Sequence, residues 1–157
     1  MVILLLFFLL IPKFSLTTAQ EQNTSKITRN SSLSAGTNNS FWLSDSGQFA
    51  FGFYQAGNGA FSVGIWFENM KQKTVIWTAN RDDMPRPRGT TLLLSSDGRL
   101  VLRDAQGMEV GKIANTSQQA TSASMLDTGN FVLYNSSSEI IWQSFDYPTD
   151  TFCLNNA

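Results

Sequence analysis

The strongest constraint on the fold is a pattern written three times along the chain. Trp42-Leu-Ser-Asp-Ser-Gly-Gln-Phe-Ala-Phe-Gly-Phe53, Leu93-Leu-Ser-Ser-Asp-Gly-Arg-Leu-Val-Leu-Arg-Asp104 and Met125-Leu-Asp-Thr-Gly-Asn-Phe-Val-Leu-Tyr134 share one design. Each has an apolar run, a short polar turn, a glycine (Gly47, Gly98, Gly129), a polar residue and a second apolar run. Asp97-Gly98 is a hairpin signal, because such turns need a positive φ that glycine adopts without a Cβ clash. Phe49, Phe51 and Phe53 alternate with Gln48, Ala50 and Gly52, which is the two-residue period of a strand. A lone hairpin is marginal in water. Three similar hairpins in one chain are therefore expected to supply three sheets that meet around a common axis.

Tryptophans interleave with these hairpins, in Val63-Gly-Ile-Trp66-Phe, Thr74-Val-Ile-Trp77 and Ile140-Ile-Trp142. They are expected to point inward as core anchors, each needing a partner for its indole N–H. Short β-prone runs with turn signals every 8–12 residues fit an all-β fold. No stretch carries a sustained helical period, so almost no helix is expected.

Composition narrows function. The chain has 157 residues and no histidine, which excludes Ser-His-Asp and Cys-His nucleophilic sites and all histidine-based zinc sites. Its one cysteine, Cys153, excludes an internal disulfide and a cysteine-rich metal cluster. That thiol, near the chain end, is read either as a partner for another chain or as a stray residue. No cofactor is expected. Eleven Lys+Arg against twelve Asp+Glu argue against nucleic acid or an anionic membrane as the main partner.

Residues 1–19 read as a secretory signal peptide. Val2–Ile11 is an unbroken apolar run closed by Pro12, and Thr17 and Ala19 stand at −3 and −1 of a cleavage point before Gln20. The run is too short to span a bilayer, which takes roughly 20 apolar residues, and no later stretch is long enough, so no membrane span is expected after cleavage. The positively charged n-region is missing, which keeps an uncleaved anchor as the alternative. Five N-x-[ST] sequons, at Asn23, Asn30, Asn38, Asn115 and Asn135, fit a secreted or cell-surface glycoprotein. A domain of this size buries roughly two-thirds of its unfolded surface and needs no disulfide to fold.

Four motifs in order carry a family resemblance: Trp42-Leu-Ser…Phe-Ala-Phe-Gly-Phe53, Thr74-Val-Ile-Trp-Thr-Ala-Asn-Arg81, Leu126-Asp-Thr-Gly-Asn-Phe-Val-Leu133 and Trp142-Gln-Ser-Phe-Asp-Tyr-Pro-Thr-Asp-Thr151. Together they resemble the bulb-type (G-type) lectin domain of plant S-locus-like receptor kinases over residues 20–151. The resemblance implies a β-prism of three four-stranded sheets with pseudo-threefold symmetry. It also implies carbohydrate recognition without catalysis, since no kinase motif is present in the chain. In that family mannose is held by Gln-x-Asp-x-Asn-x-Val-x-Tyr, once per sheet.

This chain departs from that pattern in every repeat. The second repeat offers Ser95, Asp97, Arg99, Val101 and Arg103, of which Asp97 and Val101 match. The third offers Leu126, Thr128, Asn130, Val132 and Tyr134, of which Asn130, Val132 and Tyr134 match. In the first, Ser44, Ser46, Gln48, Ala50 and Gly52 match nowhere. The candidate sugar-binding residues are thus Asp97, Val101, Asn130, Val132 and Tyr134, in degenerate mannose pockets. Each has a structural alternative: a turn residue for Asp97, a strand-entry polar group for Asn130, a half-exposed strand aromatic for Tyr134. The matching alternative function is protein–protein interaction, with a receptor ectodomain or a second copy as partner, or a truncated receptor fragment without function.

After Thr151 the family pattern gives way to a divergent tail, residues 152–157, and the loss of a closing strand is expected to leave a sheet edge open. Asp82-Asp83 with Arg81, Arg86 and Arg88 reads as a charged, solvated connection, with an acidic partner as the alternative. Asp82-Asp83, Asp146 and Asp150 invite a glycosidase reading, but a glycosidase needs two carboxyl groups across a cleft, one with a raised pKa, and Asp82-Asp83 reads better as an exposed connection.

Overall fold

The computed structural model describes residues 26–149 and the backbone of 152–153. The expected signal peptide, Asn23 and the side chain of Cys153 lie outside the described residues. Strands and turns make up nearly all of the structure, and the only helical element among the described residues is a 3-10 turn at Ser144–Asp146.

Each repeat seeds one antiparallel sheet. The first sheet is built on β3 (Phe41–Leu43), β4 (Phe49–Gln55), β5 (Ala60–Phe67) and β6 (Thr74–Thr78). It also takes β7 (Arg86–Pro87) against β5 and β14 (Phe152–Cys153) against β6. The second runs in the order β10 (Glu109–Lys112), β9 (Leu100–Arg103), β8 (Thr91–Leu94), β2 (Ser32–Ser34). The third runs β1 (Ile27–Thr28), β11 (Ser122–Met125), β12 (Phe131–Tyr134), β13 (Ile140–Gln143). Two sheets thus have the expected four strands and the first has two short additions. One of these corrects the open-edge expectation: Phe152 and Cys153 pair with Val75 and Thr74.

One local device closes the hairpins. In the second repeat Gly98 N–H reaches Ser95 C=O at 3.0 Å and Ser95 N–H reaches Arg99 C=O at 2.9 Å. The same arrangement recurs at Leu126/Gly129 and in two turns beyond the repeats, Asp104/Gly107 and Asn135/Ser138; at Ser44/Gly47 the turn is one residue longer, with Ser44 N–H reaching Phe49 C=O at 2.8 Å. The glycine positions have φ of +70 to +84°, and Ser138 takes φ +60° in the fifth turn.

The inner faces of the sheets share one core. Phe49, Phe51 and Phe53 lie on β4's inner face, Leu100 and Leu102 on β9's, Phe131 and Leu133 on β12's. Phe51 and Phe131, from different sheets, stack with centroids 3.6 Å apart and planes 11° apart, and Trp42 stacks beside both. Burying one such ring contributes about 1.5–3 kcal/mol. The expected tryptophan anchors hold for Trp77 and Trp142, which meet edge-on at 6.1 Å inside this core. Trp77 Nε1 donates to Tyr147 C=O at 2.7 Å.

Trp66 differs. A register shift sits between Ile65 and Trp66 in the pairing of β5 with β6. Ile65 faces the core, while Trp66 faces outward and is buried in a second cluster with Ala50, Tyr54 and Val75, capped by Phe41.

Candidate functional site

Strand alternation places the last two motif positions of each repeat on the outer face of its sheet, while the first three lie in or beside its turn, and the three faces hold different chemistry.

The first face is filled. Across β4, β5 and β6 the outward row is Ala50, Trp66, Val75. Trp66 is 0% exposed and its Nε1 donates to Glu68 Oε2 at 2.6 Å. The ammonium of Lys73 stands 4.3 Å over the indole. Gly52, at the tyrosine position, has no room for any side chain, since a Cβ there would lie 2.3 Å from Ser40 C=O. Where a sugar site would need accessible polar groups, this face has an aromatic plug.

The second face is polar but internally paired. Arg99 Nε donates to Asp97 Oδ2 at 2.7 Å, and its Nη1 reaches both oxygens of Glu109 at 3.0 and 2.8 Å. The Ser95 hydroxyl donates to the other Asp97 oxygen. These bonds, that of Ser95 first and then that of Arg99, hold the Asp97 carboxyl down at about 2, and the same carboxylates raise the Arg99 guanidinium above its ordinary value. Asp97 is therefore a turn clamp committed to its neighbours. Arg99 stands where the family pattern has asparagine and closes the site with its own charge. Val101 lies on this face at 0% exposure, so it is floor rather than contact surface.

The third face keeps three matching residues together. Asn130, Val132 and Tyr134 share it, and Val132 is 0% exposed. Asn130 is the hub: its Nδ2 donates to Gln143 Oε1 at 2.9 Å, and its Oδ1 accepts from Ser144 Oγ at 3.1 Å and Phe145 N–H at 3.2 Å. Gln143 Nε2 in turn donates to Asp146 Oδ1 at 3.0 Å. Tyr134 is half-buried. Among the described residues none is hydrogen-bonded to its hydroxyl. Gln143 and Asp146 were missed in the sequence because they lie on the next strand and turn. The signal was present in Trp142-Gln-Ser-Phe-Asp, a motif read for its family content and, at Asp146, only for a glycosidase carboxylate that was set aside.

Asp127 was also missed. Its Oδ1 accepts from Ser46 N–H at 2.9 Å and Ser46 Oγ at 2.6 Å, tying the third-repeat turn to the first-repeat turn across 81 residues. These bonds, the hydroxyl's first, lower the Asp127 carboxyl below its ordinary value.

Among the sequons, Asn30, Asn38 and Asn115 are exposed. Asn135 is half-buried and organises its own turn, accepting from Ser137 and Glu139 N–H at 2.9 and 3.0 Å. Asp82, Asp83 and Arg81 lie in an exposed turn. There Arg86 pairs with Asp83 at 3.3 Å, and Arg88 donates to Gly36 C=O. Among the described residues, no group of His, Cys, Asp or Glu is arranged to hold a metal, and no helix is long and apolar enough to cross a membrane.

The fold and these faces have known counterparts. A family model described as D-mannose binding lectin matches residues 74–156. The G-type lectin S-receptor-like serine/threonine-protein kinase LECRK1 of Oryza sativa subsp. japonica is 44% identical over 161 residues, covering 96% of this chain and 19% of that protein. The kinase RLK1 of Arabidopsis thaliana, of the same description, is 37% identical over 124 residues, covering 74% of this chain and 15% of that protein. This chain thus spans about a fifth or less of the length of these relatives. Among solved structures, a monomeric monocot mannose-binding lectin from Gastrodia elata superposes with TM-score 0.55 at 18% identity over 79% of this chain and 98% of that one. The Japanese Marasmius oreades lectin superposes with TM-score 0.53 at 17% identity over 76% of this chain and 88% of that one. These two likenesses establish the β-prism fold. By family model, motif order and architecture, the chain belongs to the D-mannose binding, or bulb-type, lectin family and resembles the lectin domains of plant G-type lectin S-receptor-like kinases.

Proposed function

We propose that this domain is a secreted or cell-surface recognition module that binds mannose-type glycans through the outer face of its third sheet, without catalysis. The observation that carries this reading is the contrast between faces. The first is plugged by Trp66, and the second is spent on the Asp97–Arg99–Glu109 network. The third sets Asn130 and Tyr134 on either side of a Val132 floor. Fixed amide and phenol groups suit sugar hydroxyls, because their hydrogen bonds are directional and weak in water. A single shallow site of this kind works through multivalent ligands or linked copies. The apolar leader and the exposed sequons at Asn30, Asn38 and Asn115 support passage through the secretory pathway. The match to receptor kinases supports a place at the cell surface.

One observation favours a second reading, a protein contact with a receptor ectodomain or a second copy. Ile140, Phe145 and Tyr147 are large apolar residues exposed at 49, 57 and 49% within one short stretch. A glycan array probed with the full chain separates the two. Binding to manno-oligosaccharides that free methyl mannoside competes away, and that Tyr134→Phe weakens, is the expected result. Silence on every mannose-containing glycan overturns the glycan reading.

A further inference from the structure

We infer that Gln143, Phe145 and Asp146 complete a saccharide site with Asn130 and Tyr134, on the β12–β13 side of the third face. The inference rests on the glycan reading above and moves the site off the positions where the sequence pattern would put it. On the β11–β12 side those positions carry Leu126 and Thr128, which supply neither amide nor carboxylate. On the other side both groups are present and already in line: Asn130 Nδ2 to Gln143 Oε1 at 2.9 Å, then Gln143 Nε2 to Asp146 Oδ1 at 3.0 Å.

The line is rigid and only partly used. The backbone N–H of Phe145 bonds to Asn130 Oδ1, which fixes which end of that amide is oxygen. Gln143, half-buried, then has one N–H and one lone pair left and exposed Asp146 its second oxygen, while Asn130, at 6% exposure, keeps one N–H at the inner end of the line. Gln143 is the cross-strand partner of Val132, so it lies between Asn130 and Tyr134. A carboxylate oxygen accepts strongly from a hydroxyl. Holding these groups in place beforehand removes ordering cost from binding.

Phe145 supplies the apolar part. It is 57% exposed, directly after two buried residues of the same stretch, Trp142 at 5% and Ser144 at 1%. Its backbone N–H bonds to Asn130 Oδ1, so its main chain borders the polar line and its exposed side chain starts from there. A pyranose has an apolar C–H face and an edge of adjacent hydroxyls. An exposed ring on the residue that borders the Asp146–Gln143–Asn130 line supplies the first and the line the second, so the ligand class is a neutral saccharide with adjacent hydroxyls.

The test uses the 15N-labelled full chain titrated with mannotriose, following the side-chain amide signals of Asn130 and Gln143 by NMR. Both signals are expected to move, and Phe145→Ala and Asp146→Asn are each expected to weaken binding about tenfold or more. Arg103→Ala, on the second face, is expected to leave binding unchanged. Contacts between Phe145 ring protons and mannotriose protons, seen as intermolecular NOEs, test the same point in the unsubstituted protein. If Phe145→Ala and Asp146→Asn bind as tightly as the parent while Tyr134→Phe does not, the assignment of these residues fails and the glycan reading stands. If the parent binds no glycan on an array, both fall.

Discussion

Three glycines hold the same place in three related turns, and alanine at each should carry a different penalty. Gly47, Gly98 and Gly129 have φ of +70, +77 and +83°, so the conformational cost of alanine is shared. It is about 1–2 kcal/mol for an L-residue in this region, offset by about 0.4–1 kcal/mol from the stiffer unfolded chain. The surroundings then differ. A Cβ on Gly47 meets nothing within 4 Å, so Gly47→Ala should cost no more than about 1.5 kcal/mol. A Cβ on Gly98 would lie 2.4 Å from Ala120 C=O and 2.7 Å from its N, both backbone atoms. Gly98 C=O also accepts from that same Ala120 N–H at 2.9 Å, so the chain cannot back away without losing a bond. Overpacking adds about 1–3 kcal/mol, giving about 2–4 kcal/mol for Gly98→Ala. Gly129 falls between, because its neighbour at 3.0 Å is the edge of the Phe49 ring. Urea and thermal melts of the three variants should rank Gly47→Ala, Gly129→Ala, Gly98→Ala in rising loss, with about 3–5 °C per kcal/mol in Tm. Equal losses for Gly47→Ala and Gly98→Ala would refute the close-approach argument.

The remaining predictions concern the pairing, the fifth turn and the core. The depressed Asp97 carboxyl means that its contribution to stability is present above pH about 4 and is lost as pH falls towards about 2. Asp97→Asn should flatten that part of a urea-midpoint-against-pH curve, and an unchanged acid slope would contradict the Asp97–Arg99 clamp. Ser138 holds φ +60° where four sister turns have glycine, so Ser138→Gly should raise stability by about 0.5–1 kcal/mol, read as a higher Tm. Phe51→Ala removes a fully buried ring stacked on Phe131 and should cost about 3–5 kcal/mol, a large part of a domain's stability, in a denaturant melt.

The elements most readable in the sequence were those governed by local rules. The turn glycines and the alternation of Phe49, Phe51 and Phe53 are decided within a few residues, and both stand as expected. The direction of Trp66 was not readable, because Val63-Gly-Ile-Trp-Phe is apolar on both faces and the period cannot choose between them. The unbroken register of β5 against β4 decides it, with Ile65 opposite inward Phe51 and Trp66 opposite outward Ala50. The Asp127–Ser46 tie joins residues 81 apart, and neither residue is unusual in a turn. The candidate site was half readable. Asn130 and Tyr134 could be found by spacing along one strand. Gln143 meets Asn130, and brings Asp146 into line behind it, only because β13 pairs with β12 in a register that no local pattern announces. Arg99 was visible as a departure from the family pattern. Its bridge to Glu109 across the hairpin needed the fold.

The central claim is that one of three related outer faces is open to a ligand. Backbone chemical-shift mapping of the 15N-labelled chain with mannotriose tests it most directly. The account predicts shifts confined to the third sheet and the turn after it, around Asn130, Tyr134 and Gln143, with Ala50 and Trp66 on the first face and Arg99 and Val101 on the second unmoved. Shifts centred on the first or second face, or none on any face, would contradict it.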